Sequence, residues 1–233
     1  MARVTSLFVK ATAVLSLAGL VSAAPNVTVV PLPSGCAGYP NYDNATGIAG
    51  PLRLLVDSTG REQDGFKFIP KYAIAVGGGS WGFMVIPTIE NKTADAGEII
   101  FRCGNDTLQA QLDMGFAGTR WQPLIAAGTP GEAVFGFNLP DLPDPNYHLE
   151  TWYVRLCRSR EPHSHVIEGV TQPGVFLGAV NVTTWGFNYQ NFTETGEYYF
   201  SRLLGPNSQN RATGKPLNPG EFAGYIKVES IDA

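Results

Sequence analysis

The chain has 233 residues, of which 15% are charged and 11% are aromatic, and its formal net charge is −4. A chain of this length fits a single domain that can bury a substantial hydrophobic core. Because an acidic surface repels phosphate groups, nucleic acids and anionic membranes are not expected partners.

The first residues have the organisation of a secretory signal peptide. Arg3 and Lys10 precede an apolar run, residues 11–21, which leads into a Val-Ser-Ala pattern that signal peptidase can cleave. This run is too short to cross a bilayer as a helix, which takes about 20 residues. We therefore expect residues 1–23 to be removed and residues 24–233 to be secreted as one soluble domain. Loss of the two positive charges brings its net charge to about −6.

Asn-x-Ser/Thr sequons follow the leader at Asn26, Asn44, Asn91, Asn105, Asn181 and Asn191. In a secreted chain such asparagines are acceptors for N-glycans, and an attached glycan needs a position on the surface. We expect several of these sites to be glycosylated and to lie on exposed loops.

The chain contains three cysteines, Cys36, Cys103 and Cys157, which allow alternative single disulfides and leave one thiol over. Cys103 and Cys157 each close an apolar run. That position favours a Cys103–Cys157 disulfide, and the two pairings of Cys36 are the alternatives.

Short apolar and β-branched runs recur along the chain, each bounded by Gly, Pro, Asn or Asp. They are residues 52–56, 66–69, 72–76, 81–86, 98–103, 107–112, 120–126, 133–139, 151–157, 175–180, 197–203 and 224–228. Outside the leader, no window of about eleven residues has a helical period. The pattern predicts an all-β fold in a single domain, an antiparallel β-barrel or β-sandwich. A barrel of about eight or more strands can hold an apolar internal pocket for a small molecule.

The stretch YAIAVGGGSWGFMVIP, residues 72–87, contains both the dinucleotide-binding pattern GxGxxG and the nucleophile-elbow pattern GxSxG. Each pattern needs a helix directly after the glycines, because the phosphate or oxyanion is held at the helix N-terminus. Here a β-type run follows, which predicts a hairpin with its turn near residues 77–80. A hydrolase with Ser80 as its nucleophile stays as an alternative. Its acid and base would be drawn from Asp141, Asp144, His148, His163 and His165.

The stretch EPHSHVIE, residues 161–168, has two histidines at i and i+2 and resembles half of a cupin metal motif. Its carboxylate lies closer to the histidines than in the cupin pattern, and no histidine follows His165 to complete the site. A stable transition-metal site normally uses about three or four ligands in fixed geometry. We therefore interpret the stretch as a polar loop, and we do not expect it to bind a metal.

Arginine and aromatic residues within the strand segments are the candidates for function. Alternation in residues 151–157 places Tyr153 and Arg155 on the face of Cys157, and Arg53 interrupts another apolar run. Because a buried arginine needs partners or a function, Arg53, Arg155 and Tyr153 are the candidate catalytic residues. The candidate substrate-binding residues are Tyr72, Trp81, Phe83, Trp121 and Trp152. Alternatively, the arginines are paired at the surface and the aromatic residues form ordinary core.

The segments LRLLVDSTGREQDGFKFIPKY (52–72), FRCGNDTLQAQ (101–111) and WYVRLC (152–157) carry a resemblance to a known family. Together with the leader and the sequons, they resemble the secreted fungal hetero-Diels-Alderases of tropolone-sesquiterpenoid biosynthesis, the eupenifeldin type. The resemblance covers most of the chain after the leader and includes no short diagnostic motif, so it transfers no individual site residue. It implies a cofactor-independent cycloaddition between a tropolone quinone methide and a humulene-type alkene.

This chemistry agrees with the candidate residues. An apolar cage would orient the two partners, and a cationic donor such as Arg53 or Arg155 would withdraw electron density from the heterodiene carbonyl. A tyrosine or histidine would assist the loss of water that forms the quinone methide. We therefore expect a secreted cyclase with apolar small-molecule substrates. The alternative is a non-enzymatic secreted β-domain, such as a cell-wall, carbohydrate-binding or host-interaction protein, in which the aromatic residues are all core.

Overall fold

The computed structural model describes residues 27–74, 80–90, 99–113, 118–127, 134–138, 161–179, 181–192, 195–205 and 215–231. The strands are β1 (Thr28–Pro31), β2 (Tyr42–Asp43), β3 (Ile48–Asp57), β4 (Ile69–Ile74), β5 (Ser80–Pro87), β6 (Phe101–Gly104), β7 (Thr107–Asp113), β8 (Thr119–Ala127), β9 (Val134–Asn138), β10 (Glu161–Ile167), β11 (Val170–Thr171), β12 (Val175–Gly178), β13 (Trp185–Phe192), β14 (Gly196–Leu203) and β15 (Phe222–Ser230). A 3₁₀ helix, Gly35–Gly38, precedes β2. The predicted all-β fold in a single domain is confirmed.

Nine of the strands close into an antiparallel barrel. Around the ring their order is β3, β6, β7, β8, β9, β5, β14, β13 and β15, and the pairing of β15 with β3 completes it. Strands β12, β10 and β1 continue the sheet outward from β15, whereas β2, β4 and β11 each pair with one neighbour. The early strand β3 therefore lies beside the last strand, β15.

Alternation of side chains places one face of each barrel strand in the core. In β3, Leu52, Leu54 and Val56 are buried in the interior, whereas Arg53 and Leu55 point to the opposite face and are partly exposed. Large side chains fill the interior where it is described. Those less than 2% exposed include Trp185, Phe68, Phe101, Phe137 and Phe187. The described part of the barrel interior is therefore a packed core.

The disulfide differs from the predicted one. Cys36, in the 3₁₀ helix, is bonded to Cys103 of β6, with 5.2 Å between their Cα atoms. The predicted Cys103–Cys157 pairing is therefore wrong, and Cys157 lies outside the described residues. Cys36 lies outside the predicted strand segments. In the structure it belongs to a short 3₁₀ helix, which packs against β3, β6 and β7. A disulfide is compatible with an oxidising compartment.

The strands on either side of the glycine-rich segment pair as a hairpin, as predicted. Strands β4 and β5 pair antiparallel with Ile74 opposite Ser80, and residues 75–79 between them lie outside the described ranges. Ser80 opens a strand and not a helix, so it lacks the strand–turn–helix setting of a nucleophile elbow. Within the described ranges, no helix is both long enough and apolar enough to cross a membrane.

Candidate functional site

A cavity of about 190 Å³ lies on the outer face of the sheet, where β10, β12, β15 and the end of β3 meet. We call it the outer-face cavity. Its lining includes Asp57, His165, Gln172, Phe176, Tyr225 and Lys227. It therefore combines aromatic walls with groups of both charge signs.

The strand register explains why these side chains converge. Tyr225 of β15 lies directly opposite Asp57 of β3, and Lys227 lies opposite Phe176 of β12. Tyr225 and Lys227 alternate with Ile226, which is fully buried in the interior core. The outer-face cavity is therefore built on the side of β15 that points away from the packed core.

Three rings form a wall of the cavity. The His165 imidazole and the Phe176 ring are stacked, with 3.7 Å between centroids and 7° between planes. Tyr225 meets His165 edge-on at 4.5 Å and Phe176 edge-on at 6.1 Å. Edge and stacked contacts of this kind favour fixed ring positions. The cavity wall is therefore preorganised.

His165 is 1% exposed, and its Nε2 lies 2.8 Å from the hydroxyl oxygen of Thr183. Burial, with a smaller contribution from His163, lowers the pKa of His165 from 6.5 to about 4. Desolvation disfavours the charged imidazolium, which explains the direction of this change. His165 is therefore neutral at neutral pH and serves as a hydrogen-bonding aromatic ring.

Tyr225 is held in its protonated form. Burial and the nearby negative charge of Asp57 raise the pKa of its phenol, while a hydrogen bond with Thr184 acts in the opposite direction. Asp57 accepts a hydrogen bond from the Ser58 hydroxyl at 2.6 Å. The phenol therefore keeps its proton at neutral pH.

Arg53, one of the predicted catalytic residues, lies beside the cavity but does not line it. Its Nε is 3.3 Å from Oε2 of Glu229, and both side chains are about one third exposed. The other carboxylate oxygen of Glu229 lies 2.9 Å from Nζ of Lys227. These two cations, Lys227 most strongly, lower the pKa of Glu229. Lys227 lines the cavity and Arg53 does not, although both are paired with Glu229.

The interpretation of residues 161–168 as a polar loop is wrong. Residues 161–167 form strand β10, in which His163 and His165 are buried and share one face. Strand pairing with β1 and β12 covers this segment and explains the burial. In the described part of the chain, His, Cys, Asp and Glu form no group of three or more that could hold a metal ion.

Among the predicted aromatic residues that the structure describes, Tyr72, Phe83 and Trp121 do not form one cluster. Tyr72 is 40% exposed, and its hydroxyl donates to the carbonyl oxygen of Asp113 at 3.1 Å. Phe83 packs edge-on against Phe200, whereas the Trp121 ring lies under the guanidinium of Arg102 on another strand pair. Trp152, Tyr153 and Arg155 lie outside the described residues, as does the side chain of Trp81.

Four of the sequon asparagines, Asn44, Asn105, Asn181 and Asn191, are exposed to solvent, which agrees with the predicted surface positions. Asn105 and Asn181 also adopt positive φ values of 52° and 58°, which are typical of turns. Asn26 and Asn91 lie outside the described residues. Glycosylation of these sites stays a prediction.

Two comparisons, with protein-family models and with curated proteins, find no match. The function of the outer-face cavity therefore has to be inferred from its own residues.

Sequence reasoning missed most of these residues, although their strands were predicted. Residues 52–56 and 224–228 were both expected to be strands, and they form parts of β3 and β15. The alternation within each strand indicates which side chains share a face. It does not indicate that β3 pairs with β15, and that pairing is what places Asp57 beside Tyr225.

Proposed function

We propose that the chain is a secreted, cofactor-independent cyclase of the hetero-Diels-Alderase kind, which uses the outer-face cavity to bind a tropolone quinone methide and adds a humulene-type alkene to it. One observation carries the proposal: a fixed aromatic wall of His165 and Phe176 stands beside the protonated phenol of Tyr225. The reaction is inferred from the family resemblance of the sequence, and the cavity contains groups that suit this reaction.

Cycloaddition depends on orientation and on polarisation of the heterodiene. Holding two partners in a reactive geometry can remove up to about 7–11 kcal/mol from the barrier. A hydrogen bond to the carbonyl oxygen stabilises the negative charge that develops there in the transition state. Tyr225 and Lys227 line the cavity and carry O–H and N–H donors for such bonds, whereas Arg53 does not line it.

The size of the cavity decides how the two partners are held. A volume of about 190 Å³ is below the roughly 300–1,000 Å³ of pockets that enclose a drug-sized ligand. We therefore assign one ring to the cavity and not both substrates. In this mechanism the tropolone ring occupies the cavity and the alkene reaches it from the solvent side. The protein then orients one partner and covers one of its faces.

Part of the resembling sequence borders the cavity. Segment 52–72 forms the second half of β3, the following loop and most of β4, and it contributes Asp57 and Ser58 to the lining. Segment 101–111 forms the hairpin of β6 and β7, which carries the disulfide to Cys36. The resemblance thus includes residues at the proposed site as well as residues that support the barrel.

The proposal is tested by incubating the purified mature protein with a tropolone alcohol and a humulene alcohol and comparing products with a no-enzyme control. Wild-type protein should accelerate the reaction and fix the stereochemistry of the product. Tyr225→Phe should lower turnover about 10²-fold, on the scale of a lost oxyanion donor. Tyr189→Phe, at an exposed tyrosine of β13, is the matched control and should leave turnover unchanged. Product formation equal to the no-enzyme control would exclude this function.

A non-enzymatic secreted β-domain is the second candidate. The observation that favours it is the packed interior, in which large aromatic residues such as Trp185 and Phe187 are core and not the wall of an internal pocket. If this alternative is correct, the protein gives no acceleration and Tyr225→Phe changes only its stability, by about 1 kcal/mol for one lost hydrogen bond.

A further inference from the structure

One sequon asparagine shares a strand face with an exposed aromatic ring. Asn191 and Tyr189 both belong to β13 and are separated by one residue, so their side chains lie on the same face of the strand. Tyr189 is 43% exposed, and Asn191 is exposed as well. An N-glycan attached to Asn191 therefore starts beside the ring of Tyr189.

The neighbouring strand β14 holds both side chains. Tyr189 lies opposite Tyr199, and the two rings meet edge-on with 5.7 Å between their centroids. Asn191 lies opposite Glu197, and its amide nitrogen donates to Oε1 of that carboxylate at 3.2 Å. Interaction with the same carboxylate, more than burial, raises the pKa of the Tyr189 phenol. The nitrogen that carries a glycan and the tyrosine ring are thus held close together by contacts with one strand.

The ring of Tyr199, behind Tyr189, is anchored in the barrel. It packs against the hydrophobic core and meets Phe222 edge-on at 5.4 Å. Its hydroxyl lies 3.5 Å from Nε2 of Gln63, a buried residue. Aromatic contacts of this kind favour fixed ring positions. Tyr189 is therefore the exposed end of a row of rings that reaches into the core.

An exposed tyrosine ring suits the first sugar of an N-glycan, which is N-acetylglucosamine. The substituents of its pyranose ring are equatorial, so the faces of the sugar are formed by axial C–H groups. These hydrogens are attracted to the face of an aromatic ring, where the quadrupole is negative. The contact also removes apolar surface of both partners from water. The hydroxyl groups stay in solvent at the edge of the sugar.

The other described sequons lack this arrangement. At the same spacing before the asparagine they have a tyrosine packed against the core, a disulfide-bonded cysteine and an alanine, namely Tyr42 before Asn44, Cys103 before Asn105 and Ala179 before Asn181. Among the sequons that the structure describes, an exposed aromatic side chain at this spacing is therefore specific to Asn191.

We propose that the first N-acetylglucosamine of an N-glycan on Asn191 stacks on the ring of Tyr189 and stabilises the hairpin of β13 and β14. The glycan is transferred from a polyprenyl pyrophosphate: the Asn191 nitrogen forms a bond to C1 of the sugar and loses one proton, and the pyrophosphate leaves. The amide keeps its second N–H, which is enough for the contact with Glu197. Neither the outer-face cavity nor the proposed function enters this contact.

The test uses protein secreted from yeast and trimmed with endoglycosidase H, which leaves a single N-acetylglucosamine on each occupied asparagine. Thr193→Ala removes the sequon of Asn191 and keeps the asparagine itself; Thr193 lies outside the described residues. Tyr189→Leu removes the aromatic ring and Tyr189→Phe keeps it, and each is made with and without Thr193→Ala. The matched control, Asn105→Gln in the same three backgrounds, removes the sugar from the turn between β6 and β7.

The sugar on Asn191 should raise the melting temperature by about 2 °C or more when residue 189 is Tyr or Phe. It should have no effect in Tyr189→Leu, and the effect of the sugar on Asn105 should be the same with all three side chains. Comparing the two glycosylation states of each variant cancels the cost of the Tyr189 substitution itself. In protein with isotope-labelled sugar, the ring current of Tyr189 should shift the ring-proton resonances of the Asn191 sugar upfield of those of the Asn105 sugar.

Three results would each overturn the stacking. They are an intact mass without a sugar on Asn191, an effect of that sugar on the melting temperature that is equal with Leu and Tyr at residue 189, and ring-proton resonances equal to those of the Asn105 sugar. The comparison of resonances is made within the wild-type protein. It therefore decides the question even if Tyr189→Leu does not fold.

Discussion

Acid should destabilise the protein through His165. This imidazole is 1% exposed, and its pKa is lowered from 6.5 to about 4. In the unfolded chain the group takes up a proton near pH 6.5, whereas in the folded protein it does so only near pH 4. The unfolded chain therefore binds more protons in this window, and the free energy of unfolding falls as the pH falls from about 6.5 to about 4.

The magnitude follows from the size of the pKa change. Each pKa unit corresponds to 1.36 kcal/mol, so the window between 6.5 and about 4 is worth at most about 3 kcal/mol. This is a large part of a typical unfolding free energy of about 5–15 kcal/mol. His163, Asp57, Tyr225 and Lys227 lie in the same region, so a comparison with a variant that retains all four isolates the contribution of His165.

The assay compares urea unfolding of wild type and His165→Phe at several pH values between about 4 and 7. Phenylalanine keeps the stack on Phe176 and has no group that titrates. The unfolding free energy of wild type should decrease by about 3 kcal/mol more than that of the variant over this range. Thr183→Val, which removes the hydrogen bond to His165 and keeps the imidazole, should retain the wild-type pH dependence. A difference between wild type and His165→Phe that stays constant with pH would refute the reasoning.

Other features of the fold give further expectations. Cys36→Ser should lower the unfolding free energy by about 4 kcal/mol in a urea titration, because it opens a loop closed over a separation of 67 residues; unchanged stability would contradict the pairing. Arg202→Met should cost about 3–5 kcal/mol in the same assay, because it leaves the buried carboxylate of Glu221 without its bidentate partner; a cost below about 1 kcal/mol would contradict this account. Arg53→Met should cost less than about 1 kcal/mol, since its ion pair is partly exposed, and a larger loss would assign it a structural role. Protein secreted from a eukaryotic host should lose mass on N-glycosidase treatment, and Asn105→Gln should lower the intact mass by one glycan; an intact mass equal to the bare polypeptide would contradict the sequon interpretation.

Most of the fold could be predicted because it depends on local patterns. Short runs with a period of two and turn residues between them specify strands whatever their partners are. The hairpin followed from the β-type run after the glycines, and β4 and β5 do pair antiparallel. The burial of β10 could not be predicted from its polar sequence. It arises because β1 and β12 flank the strand on both sides.

The disulfide and the candidate site depended on contacts between distant segments. Cys36 lies in a 3₁₀ helix whose packing against the barrel has no local signature, so its pairing with Cys103 was missed. Asp57 and Tyr225 come from opposite ends of the chain and meet only through the closure of the barrel. Local alternation predicts which side chains of one strand lie on the same face. It does not determine which strand pairs with it.

The packed interior has a direct consequence for the outer-face cavity, because both are built from the same strands. Ile226 and Val228 of β15 lie in the core, while Tyr225 and Lys227 between and beside them line the cavity. A shift of the strand register by one residue would exchange the two faces, which would expose the core residues and bury the charged ones. Burial of Ile226 and Val228 therefore disfavours a one-residue slip from the register that sets Asp57 opposite Tyr225. A filled barrel is thus compatible with small-molecule binding on its outer face, since its core holds the binding groups in position.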